Sequence, residues 1–107
     1  MAVSDQEIDR IRDLFAPLGQ ITTKKMFGGL GIYRAGTIFA VLMSGGILRL
    51  KAQGAMIDRM RALGCEQWTY QRPGRNPAAM PYWTLPDSAQ DDPEEASALA
   101  REALRFL

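Results

Sequence analysis

The sequence predicts an α+β domain, a two-layer sandwich with three helices on one antiparallel sheet in the order α-β(3)-α-β(2)-α. Three observations lead there. Apolar residues recur at helical spacing in three segments, at Ile8, Ile11, Leu14, Phe15 and Leu18, at Met56, Ile57, Met60 and Leu63, and at Ala96, Leu99, Ala100, Ala103, Leu104 and Leu107. Between those segments lie short runs of strand character bounded by glycine and proline. The connections between the early runs have hairpin length, which makes neighbouring strands antiparallel. At 107 residues with no internal repeat or linker, the chain is expected to form one domain over residues 1–107.

Taken in order, Ser4 followed by Glu7 is a capping-box pattern and opens a first helix over about residues 5 to 16, which Pro17 and Gly19 end. Strand-like runs follow at Ile21 to Phe27, Leu30 to Arg34, Thr37 to Met43 and Ile47 to Lys51, with Ala35-Gly36 and Ser44-Gly45-Gly46 as turns. The first two runs are read as one strand bent at Gly28-Gly29, because paired glycines inside such a run mark a bulge. A second helix carries the Met56 stripe and is capped by Gly64. Gln67 to Arg72 and Ala79 to Leu85 are two further strands joined by an irregular loop, "PGRNP". Pro81 cannot donate to a ladder, so the last strand is expected at an edge or with a bulge there. Asp92, Pro93 and Glu95 supply a cap, a first-turn proline and a capping-box partner for the third helix.

Strand Thr37 to Met43 is apolar on both faces. Simple alternation turns Ile38, Ala40 and Leu42 one way and Phe39, Val41 and Met43 the other. Three helices can hardly cover both sides of such a sheet, so a partner, such as a second copy in a homodimer, is expected on the far side.

The segment "KKMFGGLGIY", residues 24 to 33, invites comparison with phosphate-binding loops. A dinucleotide loop needs a third glycine where Arg34 stands, and a P-loop places its lysine after the glycines with a helix following. Here the lysines precede the glycines and more strand follows, so a bend is expected and no cofactor. The chain also lacks histidine, the commonest general base and metal ligand. Cys65 has no histidine to activate it, and its place after a helix C-terminus would raise its pKa, so it is read as a packing thiol. Asp87, Asp91, Asp92, Glu94 and Glu95 are read as helix-start carboxylates and not as a metal site. No catalytic, cofactor-binding or metal-ligating residue is assigned, and an enzyme is not expected.

Net charge is +1, but residues 21 to 86 hold nine bases and two acids while both ends are acidic. Acidic helices neutralising basic strands would account for this, and so would a surface for an anionic partner. Trp68, Tyr70, Arg72, Arg75, Tyr82 and Trp83 cluster around one hairpin, and aromatics beside arginines can stack bases and bind phosphates. Period-two aromatics are more often core, and Trp68 with Tyr70, like Trp83 with Leu85, is expected to point inward. Lys24, Lys25, Arg34, Arg72 and Arg75 are the candidate contacts for nucleic acid or a protein partner, and Arg49 and Lys51 would extend the strip. The start of the chain has no apolar signal core, and the longest apolar run, Ile38 to Met43, falls far short of the ~20 residues of a membrane helix. A cytoplasmic location follows as an expectation, in keeping with a single cysteine.

The pattern Met26-Phe27-Gly28-Gly29, Gly31, Tyr33, Gly36, Phe39-Ala40 and Leu50-Lys51, with a second block at Tyr70, Met80, Tyr82 and Leu85-Pro86, resembles the N-terminal domain of the TfoX (Sxy) family, bacterial regulators of competence for DNA uptake. The resemblance spans nearly the whole chain. It implies a layered domain similar to secretion chaperones, which commonly pair into dimers, and a stand-alone member without the second domain of full-length relatives. It also implies a non-enzymatic regulatory or adaptor role through protein contacts, including contact with a transcription factor.

Overall fold

The computed structural model describes residues 3–26, 29–43 and 46–107 and, within the strands, every side chain but those of residues 70–72 and 77. Its elements are α1 (Asp5–Leu14), a 3₁₀ turn (Ala16–Leu18), β1 (Thr22–Met26), β2 (Gly29–Arg34), β3 (Thr37–Met43), β4 (Ile47–Lys51), α2 (Ala55–Ala62), β5 (Gln67–Arg72), β6 (Arg75–Thr84), a 3₁₀ turn (Asp87–Ala89) and α3 (Pro93–Leu104). The α+β class and antiparallel sheet are as expected. The strand count is not: the two runs read as one bent strand are β1 and β2, paired antiparallel from Thr22↔Tyr33 to Met26↔Gly29, so the sheet has six strands in the order β1-β2-β3-β4-β6-β5. The chain reverses between Met26 and Gly29 instead of merely bending there, and the reversal itself falls on residues 27 and 28, outside the described residues.

Local chemistry sets each boundary. The Ser4 hydroxyl accepts from the Glu7 amide at 3.2 Å while the Glu7 carboxylate accepts from the Ser4 amide at 3.1 Å, closing the capping box of α1. Ala35 and Gly36 both have positive φ, 52° and 83°, the backbone a two-residue hairpin needs to match strand twist. At the end of α2 the Cys65 amide donates to Met60 O and the Gly64 amide to Arg61 O, both at 3.0 Å, a Schellman closure with Gly64 at φ 78°. Asp92 caps α3, its Oδ1 accepting from the amides of Glu94 (3.0 Å) and Glu95 (3.3 Å). The Glu95 side chain does not complete a capping box as expected; it accepts from Ser88 Oγ at 2.8 Å and so ties α3 to the preceding turn.

β6 starts four residues earlier than expected, at Arg75, which shortens the irregular loop to a turn at residues 73 and 74. It is an interior strand, between β4 and β5, and it accommodates its prolines by irregularity. Thr69 pairs with Ala79 and Gln67 with Trp83, which leaves extra β6 residues around Pro81, and a second shift lies between Tyr70↔Ala78 and Arg72↔Arg75.

All three helices bury their apolar stripes in one core with Leu30, Ile32, Phe39, Ala40, Leu42, Leu50 and Trp83 of the sheet. The buried Ser97 Oγ donates to Leu14 O at 3.2 Å, satisfying a carbonyl that α1 leaves orphaned at its C-terminus, and Arg101 donates to Pro17 O at 3.0 Å. These two bonds pin α3 against the end of α1. In β3 the register slips, Ile32 pairing with Ala40 and Tyr33 with Ile38, so Phe39 is the extra residue of a bulge. The bulge turns Phe39 to the helix side, where it is fully buried and meets Phe15 edge to face at 5.2 Å. Simple alternation had set Phe39 on the far side and Ile38 on the near side; the bulge exchanges them.

Candidate functional site: the open face of the sheet

Antiparallel partners project to the same side of a sheet, so the register assigns each side chain to a face. Opposite the core lie Lys24 and Met26 of β1, Gly29, Gly31 and Tyr33 of β2, Ile38, Val41 and Met43 of β3, Arg49 and Lys51 of β4 and Tyr82 of β6. The helices, gathered into the single core on the other side, leave this face open. Val41 is nonetheless only 4% exposed and stands outside the core cluster, because the larger side chains around it close over the middle strand.

Gly29 and Gly31 serve that packing. Gly29 and Gly31 lie in β2, and a Cβ on Gly31 would stand 2.9 Å from Met26 Sδ and 3.0 Å from Tyr33 Cε1, with Ile38 Cδ1 at 3.3 Å. A Cβ on Gly29 would stand 2.7 Å from the Leu42 carbonyl oxygen and 3.0 Å from Met43 Sδ. The thioethers and rings of this face therefore settle onto glycine backbone. The two lysines have a separate explanation: β1 is an edge strand, and lysines on an edge discourage pairing with a further strand.

Across the sheet, the Arg49 guanidinium lies over the Trp68 ring, 5.3 Å from its centroid, and Trp68 in turn meets Tyr82 at 6.4 Å with the rings inclined at 54°. Lys51 faces Tyr82 across the ladder. Trp68 thus lies on the open face and not inward as expected; Trp83 and Leu85 are inward, buried in the core. Arg49 Nε is buried without a hydrogen-bond partner, and desolvation pulls the pKa of the guanidinium down. Burial pushes the Tyr82 phenol up, helped by the nearby Tyr33 charge, which sets both tyrosines within electrostatic reach of one another. Cys65 is raised too, as expected, with burial as the cause.

The sequence-predicted contact residues do not form one patch. Lys24 is on the open face at the β1 edge, whereas Lys25 pairs with Leu30 and points the other way. Arg34 donates to Gln20 O at 3.1 Å and holds the loop before β1. Arg75 is exposed on the hairpin at the opposite edge of the sheet, and the Arg72 side chain lies outside the described residues. Of the structural motif, Met26, Gly29, Gly31, Tyr33 and Gly36 have the roles given above, and Phe27 and Gly28 fall outside the described residues. What the sequence reading missed is the combination of Arg49, Trp68 and Tyr82. Arg49 and Lys51 alternate with Leu48 and Leu50, which already puts them on the face away from the core, but only the β4–β6–β5 order brings Trp68 beneath Arg49.

Two surface depressions are lined by described residues. One of about 130 Å³ lies among Arg10, Ile47, Leu48 and Gln90, and another of about 410 Å³ beside Leu63, Glu66 and Asp87. Among the described residues, no three Asp, Glu or Cys side chains gather to hold a metal, and no helix is long and apolar enough to cross a membrane.

The family model of the TfoX N-terminal domain matches residues 13–107. The chain belongs to the TfoX N-terminal domain family. The match takes in both sequence blocks of the resemblance, the glycine segment of β1–β2 and the β5–β6 block, and thus every strand of the open face. No curated protein matches the chain. In this TfoX N-terminal domain, Gly29 and Gly31 of the most distinctive motif lie in β2 and underlie the open face.

Proposed function

We propose that this TfoX N-terminal domain is a non-enzymatic regulatory or adaptor module of transcription, acting through protein contacts made by the open face of its sheet. The observation that carries the reading is the face itself. Tyr33, Ile38, Met43, Arg49, Lys51, Trp68 and Tyr82 are each half-buried, a mixed apolar and basic surface opposite the core that the described helices share with the sheet. Interfaces are built from aromatic, methionine and arginine side chains of this kind. Family membership supports a regulatory role, and the absence of histidine from the chain fits a module without acid–base chemistry.

The test is site-specific photo-crosslinking in the native host. A photoreactive residue at Ile38 or Met43 should capture a protein, and the same residue at Asp9 or Asp58, exposed on the helices, should not. Capture from the helix positions alone would overturn the reading.

A second reading, direct nucleic-acid binding, is favoured by the basic strands. It predicts retention of DNA or RNA that weakens steeply as salt rises. The rings speak against it: Trp83 is buried, and Arg49 already lies over Trp68, so neither tryptophan offers a free stacking platform.

A further inference from the structure

Resting on the reading of the open face as a protein-docking surface, we infer that its occupant is an acidic protein segment, whose carboxylates meet Arg49 and Lys51 while its apolar side chains lie on Tyr33, Ile38 and Met43.

Charge is the first argument. The six strands contain seven of the chain's thirteen lysine and arginine residues and none of its twelve acids. The only ion pair among the described residues, Arg59 with Glu102 at 3.5 Å, joins α2 to α3. Among the described residues, the bases of the open face therefore have no acid paired with them. A second copy placed face to face would oppose bases to bases, and a second copy placed head to tail would leave each face free to recruit another, giving open-ended assembly instead of a closed dimer.

The second argument is the preparation of Arg49. Its guanidinium carbon stands over the Trp68 ring, 5.3 Å from the centroid, a contact that limits the rotamer freedom binding would otherwise have to remove, and the group is already partly desolvated. A planar fork held this way suits a carboxylate, which it can meet through two parallel N–H bonds. Trp68 is the support and not the platform, so a carboxylate-bearing chain fits better than stacked bases. The strip of Tyr33, Ile38 and Met43 beside it gives alternate side chains of an extended or helical segment an apolar seat.

The experiment is a nuclear magnetic resonance titration of the domain with a synthetic peptide alternating glutamate and leucine, with oligothymidylate in a parallel sample. The peptide is expected to move the amides of Arg49 and Lys51 and the indole N–H of Trp68 saturably, and to leave the buried Trp83 indole in place. Arg49→Gln and Lys51→Gln should each weaken binding at least about tenfold, and raising salt should weaken it further. Since Arg49 is partly buried, the Trp83 indole resonance reports whether its variant keeps the core, and the more peripheral Lys51→Gln carries the test if it does not. In the titration, four outcomes overturn the inference. These are no shift at about 1 mM peptide, shifts confined to the helix surface, oligothymidylate moving the same resonances when the peptide does not, and concentration-dependent sedimentation that moves them without peptide. A crosslinked partner whose contacting segment lacks acids would also sink the acidic occupant while leaving protein docking intact; protein capture failing at Ile38 and Met43 would sink docking itself.

Discussion

Replacing Gly29 with alanine tests the claim that Gly29 and Gly31 make room and do not set backbone conformation. Gly29 and Gly31 have no positive φ, so neither needs glycine for its dihedrals; Gly36, at φ 83°, does. The added methyl at Gly29 would stand 2.7 Å from the Leu42 carbonyl oxygen and 3.4 Å from Met43 Cα, both backbone atoms of the neighbouring strand. Backbone in a ladder cannot swing aside, so β2 and β3 must part locally. Overpacking of this kind costs about 1–3 kcal/mol, offset by about 0.4–1 kcal/mol from the stiffer unfolded chain. A net loss of about 1–2 kcal/mol corresponds to a Tm lowered by roughly 5–10 °C in a domain of this size.

At Gly31 the nearest atoms, Met26 Sδ and Tyr33 Cε1, are side-chain atoms, and the thioether can move at small cost. Gly31→Ala should therefore lose about 1 kcal/mol or less. Gly36→Ala meets nothing within 4 Å and should lose about 1–2 kcal/mol from its left-handed backbone alone. Thermal melts followed by circular dichroism, with urea midpoints alongside, give the order directly. Equal losses at Gly29 and Gly31, or a Gly29→Ala protein as stable as the parent, would refute the steric account.

Three further outcomes follow from the geometry. Ser97→Ala removes the donor to Leu14 O in the buried seam between α1 and α3, and should cost about 1–3 kcal/mol in urea unfolding. Ser4→Ala opens the capping box and should cost about 1 kcal/mol, with amide exchange accelerated first in the opening turn of α1. For pH, the raised groups are Cys65 and Tyr82, ordinarily at 9.0 and 10.0; the fold favours their protonated, neutral forms. Their contribution to stability is whole below those values and is lost as pH rises through the raised folded ones, so the urea midpoint should fall above about pH 9 and Cys65 should react sluggishly with alkylating reagents at neutral pH. A midpoint that climbs between pH 9 and 10 would contradict the assignment.

Much of the fold was legible because local signals and tertiary demands agree. Ser4 with Glu7, Gly64 after the Met56 stripe, and Asp92 before Pro93 each mark a helix end that the structure uses. The separate β1 and β2 were not legible, since paired glycines fit a bulge as well as a reversal, and the choice rests on whether Lys24 finds Gly31 opposite it. Phe39 was misplaced for a related reason: period-two alternation assumes an unbroken ladder, and a bulge is decided by the partner strand and by Phe15 waiting in the core. The open face was only half legible. Alternation around Leu48 and Leu50 exposes Arg49 and Lys51, whereas the crossover that sets β6 between β4 and β5, and so brings Trp68 to Arg49, leaves no mark on either segment.

The same topology decides between the two accounts of the uneven charge. If acidic helices neutralised basic strands, strand bases and helix acids would meet, yet among the described residues no ion pair joins them. The side of the sheet that the helices face is occupied by Leu30, Ile32, Leu42 and Leu50, all fully buried. Exposed helix acids such as Asp9 and Asp58 thus have the core and the sheet between them and the open face. The domain is electrostatically two-sided, and its basic side is the side without helices. A field of this kind speeds encounter with an acidic partner and turns it to the correct face. Association rates with such a partner should accordingly fall with salt more steeply than dissociation rates rise, and a salt effect confined to dissociation would show that the segregated charge plays no part in docking.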